Sequence, residues 1–153
     1  MKITKYKDPI FKSYLISKTI NKFMRCGLKN LYEIHFYFLL KLLKFKHYMK
    51  NPCFYYFEAI EIIKPLINYK KTNNFKPKYI LYTLNNSKSY NLAISWFVRA
   101  INISTKNKKR FIFNCYNEFI EILFNDNSSL ALQKRLQQYE ITSKNRFSKN
   151  YKW

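Results

Sequence analysis

The side chains able to do chemistry in this chain are cations set among aromatic rings, and the chemistry they suit is non-covalent capture of phosphate. Twenty-nine Lys and Arg face eight Asp and Glu, a formal charge of +21 in 153 residues. That imbalance opposes compaction unless a polyanion screens it. A nucleic-acid backbone is the partner that fits most directly, with affinity that falls steeply as salt rises. The cations lie in three zones. Residues 1–29 hold eight Lys and Arg against Asp8 alone, residues 134–152 hold six against Glu140 alone, and between Glu61 and Glu118 eleven occur without an acid. Lysines supply mobile phosphate contacts, whereas Arg25, Arg99, Arg135 and Arg146 offer directional guanidinium contacts. Tyr69, Tyr79, Tyr82, Tyr151 and Trp153 are candidates to stack on unpaired bases beside them. Because 20% of the chain is aromatic, most rings must nevertheless pack in the core.

Covalent chemistry finds little to work with. Gly27 is the only glycine, so a glycine-rich phosphate loop is excluded. His35 and His47 stand twelve apart and form no local metal pair. Glu58 and Glu61 share a helix face, but the adjacent Lys64 suits an ordinary surface ion pair better than a carboxylate catalyst. Cys26, Cys53 and Cys115 are odd in number and widely spaced, which argues against a disulfide framework and a zinc site. Each cysteine is expected to fill an apolar helix face, and Trp96 to lie in the core. Neither an enzyme, nor a cofactor, nor a metal is expected. No run approaches the eighteen apolar residues of a membrane span, so no membrane insertion is expected. The N-terminus shows no separate apolar leader with a small-residue cleavage site.

The elements that must position these cations are mostly helices. Leu15, Ile16, Thr19, Ile20, Phe23 and Met24 recur at three-four spacing over about Lys12 to Cys26, with Gly27 placed to end that helix in a left-handed cap. Asn30 with Glu33 resembles a capping box, and the helix it opens, marked by Ile34, Phe38, Leu42 and Phe45, runs to about His47. Asn51-Pro52 starts a third, in which Asn51 can cap, and Pro65 halts it. The period then shortens. Ile67 and Tyr69 lead into a polar bend, and Tyr79 to Leu84 form the returning arm of an extended hairpin. Pro77 suits an edge or poorly paired position in it. Helix returns from about Ser89 to Ile103, with Leu92, Trp96 and Ala100 on one face and Phe97 and Ile101 beside it. Phe111, Cys115, Phe119, Ile122 and Leu123 mark a fifth helix, and the segment Asn125–Ser129 can stop it and cap a sixth, from Leu130 to Arg146, whose stripe of Leu132, Leu136 and Tyr139 is partial. The fold class expected is mainly α, a bundle of about six helices with a protruding β-hairpin.

Several short runs, in order, resemble one family. They are Asp8-Pro9-Ile10-Phe11, then Ile20-Asn21-Lys22-Phe23-Met24-Arg25-Cys26-Gly27-Leu28-Lys29-Asn30, then Asn51-Pro52, Glu58-Ala59-Ile60 and Lys64-Pro65. Leu92-Ala93-Ile94-Ser95-Trp96-Phe97-Val98, Asn145-Arg146 and Tyr151-Lys152-Trp153 complete the set. Over about residues 8–153 the chain looks like a bacterial-type small-subunit ribosomal protein seven. It departs from that pattern at Ser95, where the family has arginine. It departs again at Asn73, Asn74 and Phe75, which replace a glycine pair at the hairpin bend.

The resemblance implies one domain over residues 1–153 with a basic N-terminal extension of about 1–11 and a hairpin of about 66–84. It implies a structural constituent that binds the 3′ major domain of small-subunit rRNA, helps nucleate assembly of the subunit head, and lies near the mRNA exit and E-site tRNA. Neighbouring proteins of head and platform are implied partners. Carried onto this chain, the rRNA-facing residues are Lys2, Lys5, Lys7, Lys22, Arg25 and Lys29, with Lys70, Lys71, Lys76 and Lys78 of the hairpin. Arg99, Lys108, Lys109, Arg110, Lys134, Arg135 and Arg146 form a second tier, and Asn73, Asn74, Phe75, Tyr151 and Trp153 are base or tRNA contacts. Composition that suggests an AT-rich genome, the missing leader and the relaxed glycine motifs point to a mitochondrial small subunit, with a plastid or a bacterial cytoplasm as alternatives. A standalone RNA chaperone or a DNA-binding helical protein would carry similar charge.

Overall fold

The structure, a computed structural model, describes residues 10–46, 51–71, 79–105, 111–124 and 128–145. Six helices and one two-stranded antiparallel hairpin make up the regular structure of the described residues, in agreement with the fold class read from the sequence. The helices are α1 (Tyr14–Phe23), α2 (Lys29–Lys46), α3 (Pro52–Ile63), α4 (Asn86–Thr105), α5 (Phe111–Leu123) and α6 (Leu130–Lys144). Strands β1 (Ile67–Lys71) and β2 (Tyr79–Thr83) pair between α3 and α4, in a register running from Ile67 opposite Thr83 to Lys71 opposite Tyr79.

The core is one cluster to which all six helices contribute. Helix α4 lies at its centre, burying Ala93, Ile94, Trp96, Phe97, Val98, Ala100 and Ile101, more than a single stripe, because it packs against α1, α3, α5 and α6. Trp96 is a core residue, as its spacing suggests. Aromatic rings knit the helices together: Phe36, Phe57 and Phe119 surround fully buried Tyr56, and Phe23 meets Phe97 and Phe111 edge-on. Edge-to-face and offset arrangements of this kind satisfy ring quadrupoles while burying large apolar area. The Tyr56 hydroxyl finds its partner in Thr19, whose own hydroxyl donates to the Leu15 carbonyl at 2.8 Å. Burial pushes the Tyr56 phenol well above its ordinary pKa.

Several local expectations are corrected. Helix α1 ends at Phe23, four residues short of Gly27; Cys26 (φ +52°) and Gly27 (φ +74°) instead form a left-handed pair inside the connecting turn. Glu33 does not close a capping box, for α2 already begins at Lys29 and Glu33 pairs with that lysine at 3.3 Å. Asn51 precedes α3 without a side-chain cap, its backbone carbonyl accepting from Phe54 N–H at 3.0 Å. Helix α4 starts at Asn86, before Ser89. Cys26 is exposed in a turn, whereas Cys53 is half-buried and Cys115 buried. Leu136 faces solvent, and α6 buries Ala131, Leu132, Gln138 and Thr142.

The largest correction concerns α2. Ile34, Phe38 and Phe45, which mark this helix in the sequence, are exposed; its buried side is Phe36, Leu39, Leu40 and Leu43. Both sides of the helix are apolar, so a three-four pattern exists on each and periodicity cannot choose between them.

Candidate nucleic-acid interface

The first cationic group is built by α1 and α4, neither of which contains an acidic residue. On α1, Lys18 and Lys22 stand four apart on one side of the helix, and Arg25 follows in the turn just beyond the helix end. Packing α1 along α4 brings them to Arg99 and Asn102. Lys22 donates to the Asn91 carbonyl and to the Ser95 hydroxyl. Serine at position 95 is therefore a polar anchor for Lys22. Arg25 donates to Asn102 Oδ1 at 2.5 Å. Lys18 donates to the Tyr14 hydroxyl at 2.9 Å and lies over that ring. Arg99 is exposed. Burial lowers the pKa of Lys22, and the positive charges of Lys18 and Arg99 lower it further. This is a half-desolvated cation crowded by like charge, which a phosphate oxygen would relieve. Lys18 is not among the residues expected from the sequence to face RNA, although its helical spacing to Lys22 points to it.

A second group lies on the hairpin. Lys70 and Lys71 are exposed on β1, on opposite faces of the strand because side chains alternate. Tyr69 and Tyr79 pack edge-to-face, centroids 5.4 Å apart, so these two rings hold each other at the neck of the arm. Tyr82 is exposed, its hydroxyl accepting from Asn68 Nδ2 at 3.0 Å. The base of the arm is tied down from three sides. Gln138 of α6 donates to the Ile67 carbonyl, the Ser89 hydroxyl of α4 to the Pro65 carbonyl, and Leu84 N–H to the Leu66 carbonyl at 2.9 Å. Beside it Lys64 pairs with Glu61 at 2.9 Å and lies over the Tyr90 ring, while Tyr90 donates to the same carboxylate. Glu61 is thus part of a surface ion pair, as its neighbour Lys64 suggests. Burial pushes its carboxyl up, but hydrogen bonds from Tyr90 and Lys64 outweigh that and leave its pKa lowered.

Other sequence candidates have different surroundings. Lys29 is held by Glu33. Lys134 donates to Gln137 at 3.0 Å and shares a surface cleft with Arg99 and Gln133 between α4 and α6. Arg135 turns inward, donating to the Ile62 carbonyl and lying over Tyr139, which makes it a clamp between α6 and α3. Lys2, Lys5, Lys7, Asn73, Asn74, Phe75, Lys76, Lys78, Lys108, Lys109, Arg110, Arg146, Tyr151 and Trp153 lie outside the described residues. Among the described residues no group of three or more His, Cys, Asp or Glu could hold a metal ion, and no helix is long and apolar enough to cross a membrane.

Residues 1–146 match the family model described as "Ribosomal protein S7p/S5e". The chain belongs to that family. Proteins named "Small ribosomal subunit protein uS7" are similar to it along nearly their whole length. The one from a Nitratiruptor species is 28% identical over 147 residues, 95% of this chain and 92% of that protein. The one from Carsonella ruddii is 27% identical over 146 residues, 95% and 90% of the two chains. The one from Mycoplasma capricolum is 25% identical over 147 residues, 95% and 92%. These relatives are bacterial, so this member of the S7p/S5e family is of bacterial type. The match takes in α1 to α6 and the hairpin, so both cationic groups belong to the part of the chain that the family shares.

Proposed function

We propose that this chain is a structural, rRNA-binding subunit of a small ribosomal subunit, acting by charge screening and shape and catalysing no reaction. The observation that carries this reading, beside family membership, is the acid-free α1–α4 face on which Lys18, Lys22, Arg25 and Arg99 converge. Among the described residues Lys18, Lys22 and Arg25 meet neutral oxygens and none of the four pairs with a carboxylate, and a phosphate backbone would relieve their mutual repulsion. The hairpin, anchored at its base and carrying Lys70 and Lys71 outward, is the second attachment. Fixed cations on two rigid elements suit a folded RNA better than a single extended strand.

The finer reading is that residues 1–153 form one RNA-binding domain, with a basic N-terminal extension of about 1–11 and a hairpin of about 66–84. The RNA is the 3′ major domain of small-subunit rRNA. The hairpin, with Lys76, Lys78 and the bend residues Asn73, Asn74 and Phe75, lies near the mRNA exit and E-site tRNA, and the C-terminal helix helps meet a platform neighbour. The bacterial relatives support a bacterial-type ribosome; a mitochondrial address rests on composition and relaxed motifs, and subcellular fractionation tests it. Crosslinking in native particles, followed by mapping of RNA and protein contacts, tests the whole. One compact rRNA footprint through Lys22, Arg25, Arg99 and the hairpin is expected. Those side chains crosslinking broadly to many RNAs, without stable residence in a particle, would instead indicate an RNA chaperone.

A further inference from the structure

The outer face of α2 is an apolar stripe that nothing in the RNA-binding reading uses. Leu31, Phe38 and Phe45 recur every seven residues and are exposed by 46%, 48% and 67%. Ile34, 67% exposed, fills one gap, and half-buried Leu42 the other. At 1.5 Å per residue the stripe is about 21 Å long. Alongside Phe38 and Leu42, Ile112, Phe113 and Tyr116 of α5 form the second wall of a shallow groove. Single exposed apolar residues are ordinary, but a continuous row flanked by charge marks an interaction surface. Lys41 lies at one margin of the row; Lys46 lies at the other, its ammonium 4.9 Å from the Tyr116 ring centre and 5.6 Å from that of Phe113.

We propose that this α2–α5 groove docks an amphipathic helix of another protein, with apolar residues at three-four spacing and Asp or Glu on its margins. The heptad spacing of the stripe is the geometry one helix offers to another, and the lysine margins call for acidic partners. Charge removes the competing occupants. A second copy of this chain brings a further +21, and the chain's own ends are basic, through Lys2, Lys5 and Lys7 at one and Lys149 and Lys152 at the other. An RNA strand would satisfy Lys41 and Lys46 but leave the aliphatic row of Leu31 and Ile34 without a partner.

The test uses the full chain and a synthetic 18-residue helical peptide with leucines at three-four spacing and glutamates on both margins. Fluorescence anisotropy should show saturable binding. The double variant Lys41→Glu/Lys46→Glu should weaken it by roughly tenfold, and a lysine-margined peptide should recover that loss. Phe38→Ala should weaken both peptides, with circular dichroism showing the helices retained. No binding, or equal affinity for a scrambled peptide of the same composition, would overturn the proposal. So would sedimentation showing that the stripe is already covered by a second copy, or preferential uptake by phosphatidylcholine vesicles. None of these readouts depends on RNA, so the outcome stands apart from the rRNA-binding reading.

Discussion

Glu118 shows how much a single buried residue decides here. It projects from α5 and accepts from the Ser129 hydroxyl at 2.7 Å and from Ala131 N–H at 2.9 Å, while Ser129 caps α6 by accepting from Leu132 N–H at 3.3 Å. A carboxylate at a helix N-terminus meets free N–H groups and the positive end of the dipole. Burial nevertheless dominates and raises its pKa, against the hydrogen bonds from Ala131 and Ser129, with the Glu121 charge adding to the rise. A raised carboxyl means that the folded state holds its proton more tightly than the unfolded chain. Its contribution to stability is then full below the ordinary glutamate value and is lost as pH climbs through the raised folded value. The urea midpoint of the native chain minus that of Glu118→Gln, followed from acid to neutral pH, should fall across that window; a difference that stays constant would remove Glu118 from the pH response. Glu118→Ala should cost about 1–3 kcal/mol by stranding the Ser129 and Ala131 donors. Gly27 is the other decisive residue. A Cβ there would meet nothing within 4 Å, so only its φ of +74° asks for glycine. Gly27→Ala should lower stability by about 1 kcal/mol in denaturant melts, and Gly27→Asn by less.

At the scale of elements, the hairpin depends on its anchors. An isolated two-stranded ribbon is marginal in water, and this one is held at its base by Gln138, Ser89 and the Leu84–Leu66 hydrogen bond. Gln138→Ala should therefore speed hydrogen exchange of the Ile67–Lys71 amides while leaving α1 and α4 protected, since local opening is governed by local ties. Lys70→Ala/Lys71→Ala should leave that exchange unchanged and weaken RNA binding. If each lysine neutralises one phosphate, the slope of log affinity against log salt should flatten by about 1.4 to 1.8. An unchanged slope would remove both lysines from the interface.

For the whole molecule the dominant quantity is charge. A fold carrying +21, with the ion pairs Lys29–Glu33 and Lys64–Glu61 among its described residues, is stressed when free. Added salt should raise the melting temperature of the free chain by screening, and should lower that of the RNA complex by weakening attachment. Bound RNA at a hundredfold excess over Kd should add about 2.7 kcal/mol to stability, read as a shift in the unfolding midpoint. If calorimetry gives both forms the same salt response, the cationic face is not closed by phosphate.

Fold class, hairpin and family are legible along the chain, because apolar periodicity, proline positions and ordered motifs are all local signals. Trp96 as a core residue, the Glu61–Lys64 pair and a cap for α6 somewhere in Asn125–Ser129 are legible for the same reason; that Ser129 supplies it is a tertiary finding. Tertiary structure alone decided which apolar face of α2 is buried, that Arg135 turns inward to the Ile62 carbonyl, and that Lys22 is crowded by Lys18 and Arg99. Each of those depends on what a distant segment places opposite a side chain. Two equally apolar faces, or two equally basic residues, differ only in their neighbours, and a linear pattern does not contain the neighbours.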